Sequence, residues 1–143
     1  MKISMYNCKK QLTTIWFTGS VILSFILLFQ TFLRHYGDKA NEAWSWFLPT
    51  VMPTLSLTVG VWVKDALGKV EKKEKVDRFV FRLSYIISIL YLIVVALTIL
   101  LQPLVSSSPQ DYIRLMNQSN FLLGPFQGLV VALIGVFFIK REE

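Results

Sequence analysis

Four stretches of this chain carry no charged side chain: Leu12–Leu33, Ala43–Val63, Leu83–Leu101 and Phe121–Ile139, of 22, 21, 19 and 19 residues. None shows the polar face at helical spacing that a helix on the surface of a soluble bundle needs. A hydrocarbon core of about 30 Å takes roughly 20 helical residues to cross, so each stretch has spanning length. The pattern predicts an all-α integral membrane protein, a single domain over 1–143 built as a four-transmembrane-helix bundle. Its helices are expected over 12–33, 43–63, 79–102 and 121–139. The first is not read as a signal peptide, because its apolar run exceeds an h-region of about 7–15 residues and Arg34-His-Tyr-Gly lacks small residues for cleavage.

Between the third and fourth stretches lies SSSPQDYIRLMNQSN, Ser106 to Asn120. Ser108 suits an N-cap, Pro109 the first helical position and Asp111 a capping box, while Tyr112, Ile113, Leu115 and Met116 make a short apolar face. A separate interfacial helix over 109–118, lying on the outer surface, is the expectation. Asn117-Gln-Ser119 also matches a glycosylation sequon.

Composition agrees, with 54% apolar residues and a mean hydropathy of +0.53. Charge adds orientation. Twelve of the fifteen basic residues fall in the N-terminal tail, the middle loop over 64–78 with the adjoining Arg82, and the C-terminal tail. Only Arg34, Lys39 and Arg114 fall in the two opposite loops. This bias predicts both termini in the cytoplasm. Trp44 and Trp46 would then mark the outer boundary, and Trp16 and Trp62 the inner one. In and just after the middle loop, Lys69, Lys72, Lys73, Lys75, Arg78 and Arg82 form a candidate surface for anionic lipid or a cytosolic partner. Acidic residues interrupt them and no aromatic residue lies among 64–78, so nucleic acid is not an expected partner.

Punctuation inside the spans supplies the candidate sites. Pro49 and Pro53 lie one turn apart on one face of the second helix, among Thr50, Thr54, Ser56 and Thr58. Each ring removes an amide and crowds the carbonyl four residues back, which predicts a kink whose freed carbonyls are met by hydroxyls or by neighbouring helices. A packing kink is one reading. The other is a pore-lining segment, with Gln127 and the 49–54 segment lining a polar funnel, and Gln30, Gln102, Thr31 and Thr98 are the remaining polar groups of the spans. In the fourth stretch Gly124, Gly128, Ala132 and Gly135 make a stripe of small residues, with Ser56 and Gly60 as a weaker echo in the second. Ser20 with Ser24, and Ser84 with Ser88, are weaker again. Such stripes allow close helix contact, so this one is expected to be buried against another helix, in the same chain or a second one.

Catalytic signals are missing from the pattern. No Asp, Glu, Lys, Arg or His lies in the middle of a span, where proton relays and ion-coupled transporters place one. Cys8 is the single cysteine and His35 the single histidine, too few for a Cys-x-x-Cys centre or a bis-histidine haem. No cofactor or metal is expected, and the chain reads as a non-enzyme.

The stretches WSWFLPTVMPTLSLTVGVW, VDRFVFRLSYIISILYLIVVALTILLQP and SNFLLGPFQGLVVALIGVFFIK resemble a group of small bacterial four-helix membrane proteins found with antiphage, or biological-conflict, modules. That resemblance implies an inner-membrane effector, or the membrane partner of a cytosolic sensor, acting by oligomerisation and membrane perturbation in defence. The residues themselves leave two other classes open: a structural anchor or assembly subunit of a larger membrane complex, and a small channel or transporter.

Overall fold

The computed structural model describes residues 2–68, 75–105 and 107–136. Among them, long helices dominate: α1 Met5–Phe32, α2 Ala40–Leu67, α3 Arg78–Leu100 and α5 Pro109–Val136. A 3-10 turn over Gly37–Lys39 and a four-residue helix α4, Gln102–Val105, lie at one end, here the loop end. At the other, the strands β1 Lys2–Ser4 and β2 Lys75–Asp77 pair antiparallel with Ile3 opposite Val76.

Three segments are long and apolar enough to cross a membrane: Met5–Phe32, Gly37–Leu67 and Arg78–Leu100. Within their most apolar windows only 28%, 33% and 39% is buried inside the chain. Most of that apolar surface, including Phe25, Phe29 and Ile86, therefore faces outward, which water would penalise and lipid accepts. The fourth expected span runs to Ile139, past the last described residue, and α5 is not among the three.

The long helices form a four-cornered bundle in which α1 packs on α2, α2 on α5, α5 on α3 and α3 on α1. The corner between α1 and α3 is less extensive than the others but holds one close approach. A Cβ added at Gly19 would sit 2.9 Å from Leu92 Cδ1, and Ser20, Ser84 and Ser88 are all buried. Small side chains bring helices close where lipid offers no hydrophobic drive, and here the weaker serine patterns do that work.

Several boundaries differ from expectation, each for a local reason. The surface helix over 109–118 is the first part of α5, not a separate element. Tyr112, Ile113, Met116, Leu123, Val130 and Ile134 are its buried residues, so one apolar stripe at helical spacing passes straight through Asn117–Asn120, where no glycine or proline interrupts. Ser108 still starts the helix, its carbonyl accepting from the Tyr112 amide at 3.2 Å. The loop expected over 64–78 is shorter, because α2 continues to Leu67 and Lys75–Asp77 is strand. Asp77 caps α3, its Oδ1 accepting from the Phe79 amide at 2.9 Å. Two of the tryptophans expected near a boundary also pack inside the bundle. Trp16 is fully buried against Tyr91, with ring centroids 5.6 Å apart, and Trp46 is buried too.

The ribbon covers a small satellite core in which Cys8 and Leu12 pack with Ile3, Val76, Val80 and Phe81. Beside it Lys9 Nζ meets Asp65 Oδ2 at 3.0 Å, tying α1 to α2 with both side chains largely shielded. At the loop end α1 stops on Arg34, whose φ of 56° is left-handed, and the His35 amide reaches back to the Gln30 carbonyl at 3.0 Å. The chain then turns sharply enough to place Tyr36 inside. Its hydroxyl donates to Gln30 Oε1 at 2.7 Å, while Gln30 Nε2 donates to the Ile99 carbonyl at 3.4 Å. His35 stacks on Tyr112 at 4.3 Å and 9°. Burial holds the Tyr36 phenol well above its ordinary range, with Gln102 beside it acting the other way, so it serves as a neutral hydrogen-bond donor.

Glycine position therefore has unequal consequences. Gly19→Leu should destabilise the folded chain by about 1–3 kcal/mol through overpacking against Leu92. Gly128→Leu enters open space and should leave single-chain stability within about 0.5 kcal/mol. Unfolding of both variants in detergent, followed by circular dichroism, checks the contrast.

Candidate functional site

The second helix passes through Pro49 and Pro53 without losing helical backbone. Pro53 has no amide to give the carbonyl of residue 49, and its ring crowds the same turn. In water those carbonyls would be solvated; in hydrocarbon each needs a partner, because an unmet polar group there costs several kcal/mol.

Partners come from two other helices. From α5, Gln127 Nε2 donates to the Pro49 carbonyl at 3.1 Å and lies 3.3 Å from the Thr50 carbonyl. From α3, the Tyr91 hydroxyl donates to the Thr50 carbonyl at 2.7 Å. One turn earlier the Thr50 hydroxyl donates to the Trp46 carbonyl at 2.6 Å, the carbonyl next in line after the one Pro49 leaves open. Thr50 and Tyr91 are both buried, and the Tyr91 ring is nearly parallel to Phe126 of α5 at 6.5 Å. Three helices thus converge on two consecutive carbonyls, each bond contributing about 0.6–2 kcal/mol inside a membrane.

Pro49, Pro53, Thr50 and Gln127, singled out from the sequence, meet in this one place. Thr54 is different: it is fully buried, and its hydroxyl has no hydrogen-bond partner. The same holds for Ser20 Oγ, Ser88 Oγ and Trp16 Nε1, all within the bundle. Tyr91 was not anticipated. Its signal was available, since a tyrosine in the middle of an uncharged span carries a hydroxyl that must find an acceptor.

The small-residue stripe does not pack inside this chain. Gly124, Gly128 and Ala132 are exposed, and a Cβ added at Gly124, Gly128 or Gly135 meets nothing within 4 Å. Ser56 and Gly60 of α2 are exposed in the same way. The reason is register: burial of Leu123, Val130 and Ile134 turns their face inward, which leaves Gly124, Gly128 and Ala132 pointing out.

Of the basic cluster, Lys75 lies exposed on β2, and Arg78 and Arg82 lie exposed on the first turns of α3. Lys69, Lys72 and Lys73 lie outside the described residues. Among the described residues no group of three or more His, Cys, Asp or Glu side chains comes together as a metal site would require. No family model, no curated protein and no solved structure matches this chain.

The bonds around Pro53 make a coupled prediction. Gln127→Leu should cost about 1 kcal/mol, since it leaves the Pro49 carbonyl without a donor in hydrocarbon, while the Thr50 carbonyl keeps Tyr91. In a Pro53→Ala background the restored amide serves the residue 49 carbonyl, so the same change should cost about half as much or less. A double-mutant cycle on unfolding free energy in detergent measures that difference.

Proposed function

We propose that this chain is a non-catalytic subunit that assembles with further copies of itself in the membrane, its bundle acting as a shaped anchor for a larger complex. The observation that carries this reading is the use of the polar span residues: Gln127, Tyr91 and Thr50 are bonded to the backbone of α2. Groups spent on carbonyls build shape, and are not free to line a path or handle a substrate. The surface left for assembly is the outward face of α5 with Gly124, Gly128 and Ala132, where backbones of adjacent copies can approach closely.

A second reading has its own support. The buried hydroxyls of Ser20, Thr54 and Ser88 without hydrogen-bond partners are the polar interior that a membrane-perturbing effector, such as the resemblance to antiphage modules implies, would use. The two readings share assembly and differ in leak.

The mass of the complex in mild detergent should be a multiple of the 16.5 kDa chain, and Gly128→Leu should lower it without unfolding the protein. A monomeric wild-type chain would end the assembly reading. Dissipation of membrane potential on expression, lost in Thr54→Val, would favour the effector over the anchor.

In this proposal the membrane is a bacterial inner membrane and both termini face the cytoplasm, an orientation that the basic bias supports. Reporter fusions at Glu143 and within 69–75 should score cytoplasmic, and one at Ser107 external.

A further inference from the structure

Where β1 crosses the end of the bundle, α1 and α3 leave an open groove of about 330 Å³ between them. Ile3 comes from β1, Gln11 from α1, and Arg78, Phe81, Arg82 and Tyr85 from α3. Arg78 and Arg82 are four residues apart and so share one helix face, with Tyr85 one turn further along. Among the described residues neither guanidinium is in an ion pair. Asp77, the nearest acid in sequence, gives its Oδ1 to the cap of α3.

We infer that this groove binds the phosphate headgroup of an anionic phospholipid. Two guanidiniums on one face present forked donors suited to phosphate oxygens, and Gln11 and Tyr85 add neutral donors to the same groove. The position selects a lipid over a soluble anion. The groove lies at the start of the α3 span, and Leu83 and Ile86, just beyond it on the same helix, are exposed apolar side chains beside which acyl chains can run. Ile3 and Phe81 make its wall apolar, which suits the glycerol region below a headgroup. The β1–β2 ribbon gives the groove its shape, since pairing of Ile3 with Val76 is what brings the N-terminal strand to α3. The inference requires only that α3 spans the bilayer, and is independent of what covers α5.

The test reconstitutes the full chain in phosphatidylcholine nanodiscs with and without 20% phosphatidylglycerol (an amount chosen on the order of natural anionic leaflets), and counts retained lipid by native mass spectrometry. Wild-type protein should keep phosphatidylglycerol in preference to phosphatidylcholine, and Arg78→Gln with Arg82→Gln should lower that retention about tenfold. Arg82→Lys keeps the charge and loses the fork, so it should fall between the two. Lys10→Gln removes a charge from exposed α1 outside the groove and should leave retention unchanged. Equal loss in Lys10→Gln and the arginine variants would show diffuse surface attraction and overturn the site. So would equal retention of the two lipids by the wild type, a comparison that holds even where the double variant fails to insert. If inorganic phosphate displaces the bound lipid at millimolar concentration, the groove takes free phosphate and the lipid assignment fails.

Discussion

A proline inside a membrane helix leaves a carbonyl that no water can reach, and much of this structure follows from where Pro53 leaves one. The donor for the residue 49 carbonyl must arrive from another helix at the same depth. Gln127 arrives from α5, and that one bond sets the height of α5 against α2. Tyr91 arrives from α3 at the adjacent carbonyl and sets a third helix to the same level. The open carbonyl in α2 therefore acts as an alignment point for the bundle, something a featureless apolar helix lacks, since sliding one leucine past another costs little where every surface is equally greasy.

Alignment at that level has a consequence for α5. Once Gln127 points to α2, the inward stripe is completed by Leu123, Val130 and Ile134, and Gly124, Gly128 and Ala132 must face away. From the sequence the small residues are expected against another helix, in this chain or a second one, because the pattern carries no direction. Direction comes from the polar residue beside them, whose amide has a single good destination. The glycine that does mediate close approach, Gly19, stands alone in α1 and has no partner at i+4 to advertise it.

The elements were legible where the physics is local. Uncharged length located α1, α2 and α3, and the Ser108-Pro109 start of α5 was read correctly because capping needs only neighbouring residues. The failures were non-local. The ribbon of Lys2–Ser4 with Lys75–Asp77 joins segments too short and polar to register as strands, and it exists because the ends of α1 and α3 already stand side by side. The packing of Trp16 against Tyr91 is likewise a contact between distant segments that residue type alone does not reveal. The site was half legible: the prolines, Thr50 and Gln127 were marked by chemistry, and the donor that completes the set was hidden among apolar neighbours.

The division of labour between the two ends bears on how the chain works in a bilayer. Across elements the loop end is closed by neutral bonds, Tyr36 to Gln30 and Trp44 Nε1 to Thr31 Oγ1 at 3.2 Å, and by the stack of His35 on Tyr112, while its ion pairs, Lys39 with Glu42 and Arg114 with Asp111, are exposed and local in sequence. The neutral contacts change little with ionic strength or surface charge. The ribbon end instead carries the Lys9–Asp65 pair and the outward guanidiniums of Arg78 and Arg82. Charges near a bilayer surface feel its composition at about 1 kcal/mol per basic residue, so this end is the one a change of lipid can reach. Between the ends, the Pro53 latch fixes α2, α3 and α5 to one another, and α1 joins α3 through the Gly19 contact. α3 is therefore the helix that touches both ends of this arrangement, carrying Arg78 and Arg82 at the ribbon end and packing directly on α1 and α5, with Tyr91 bonded to α2.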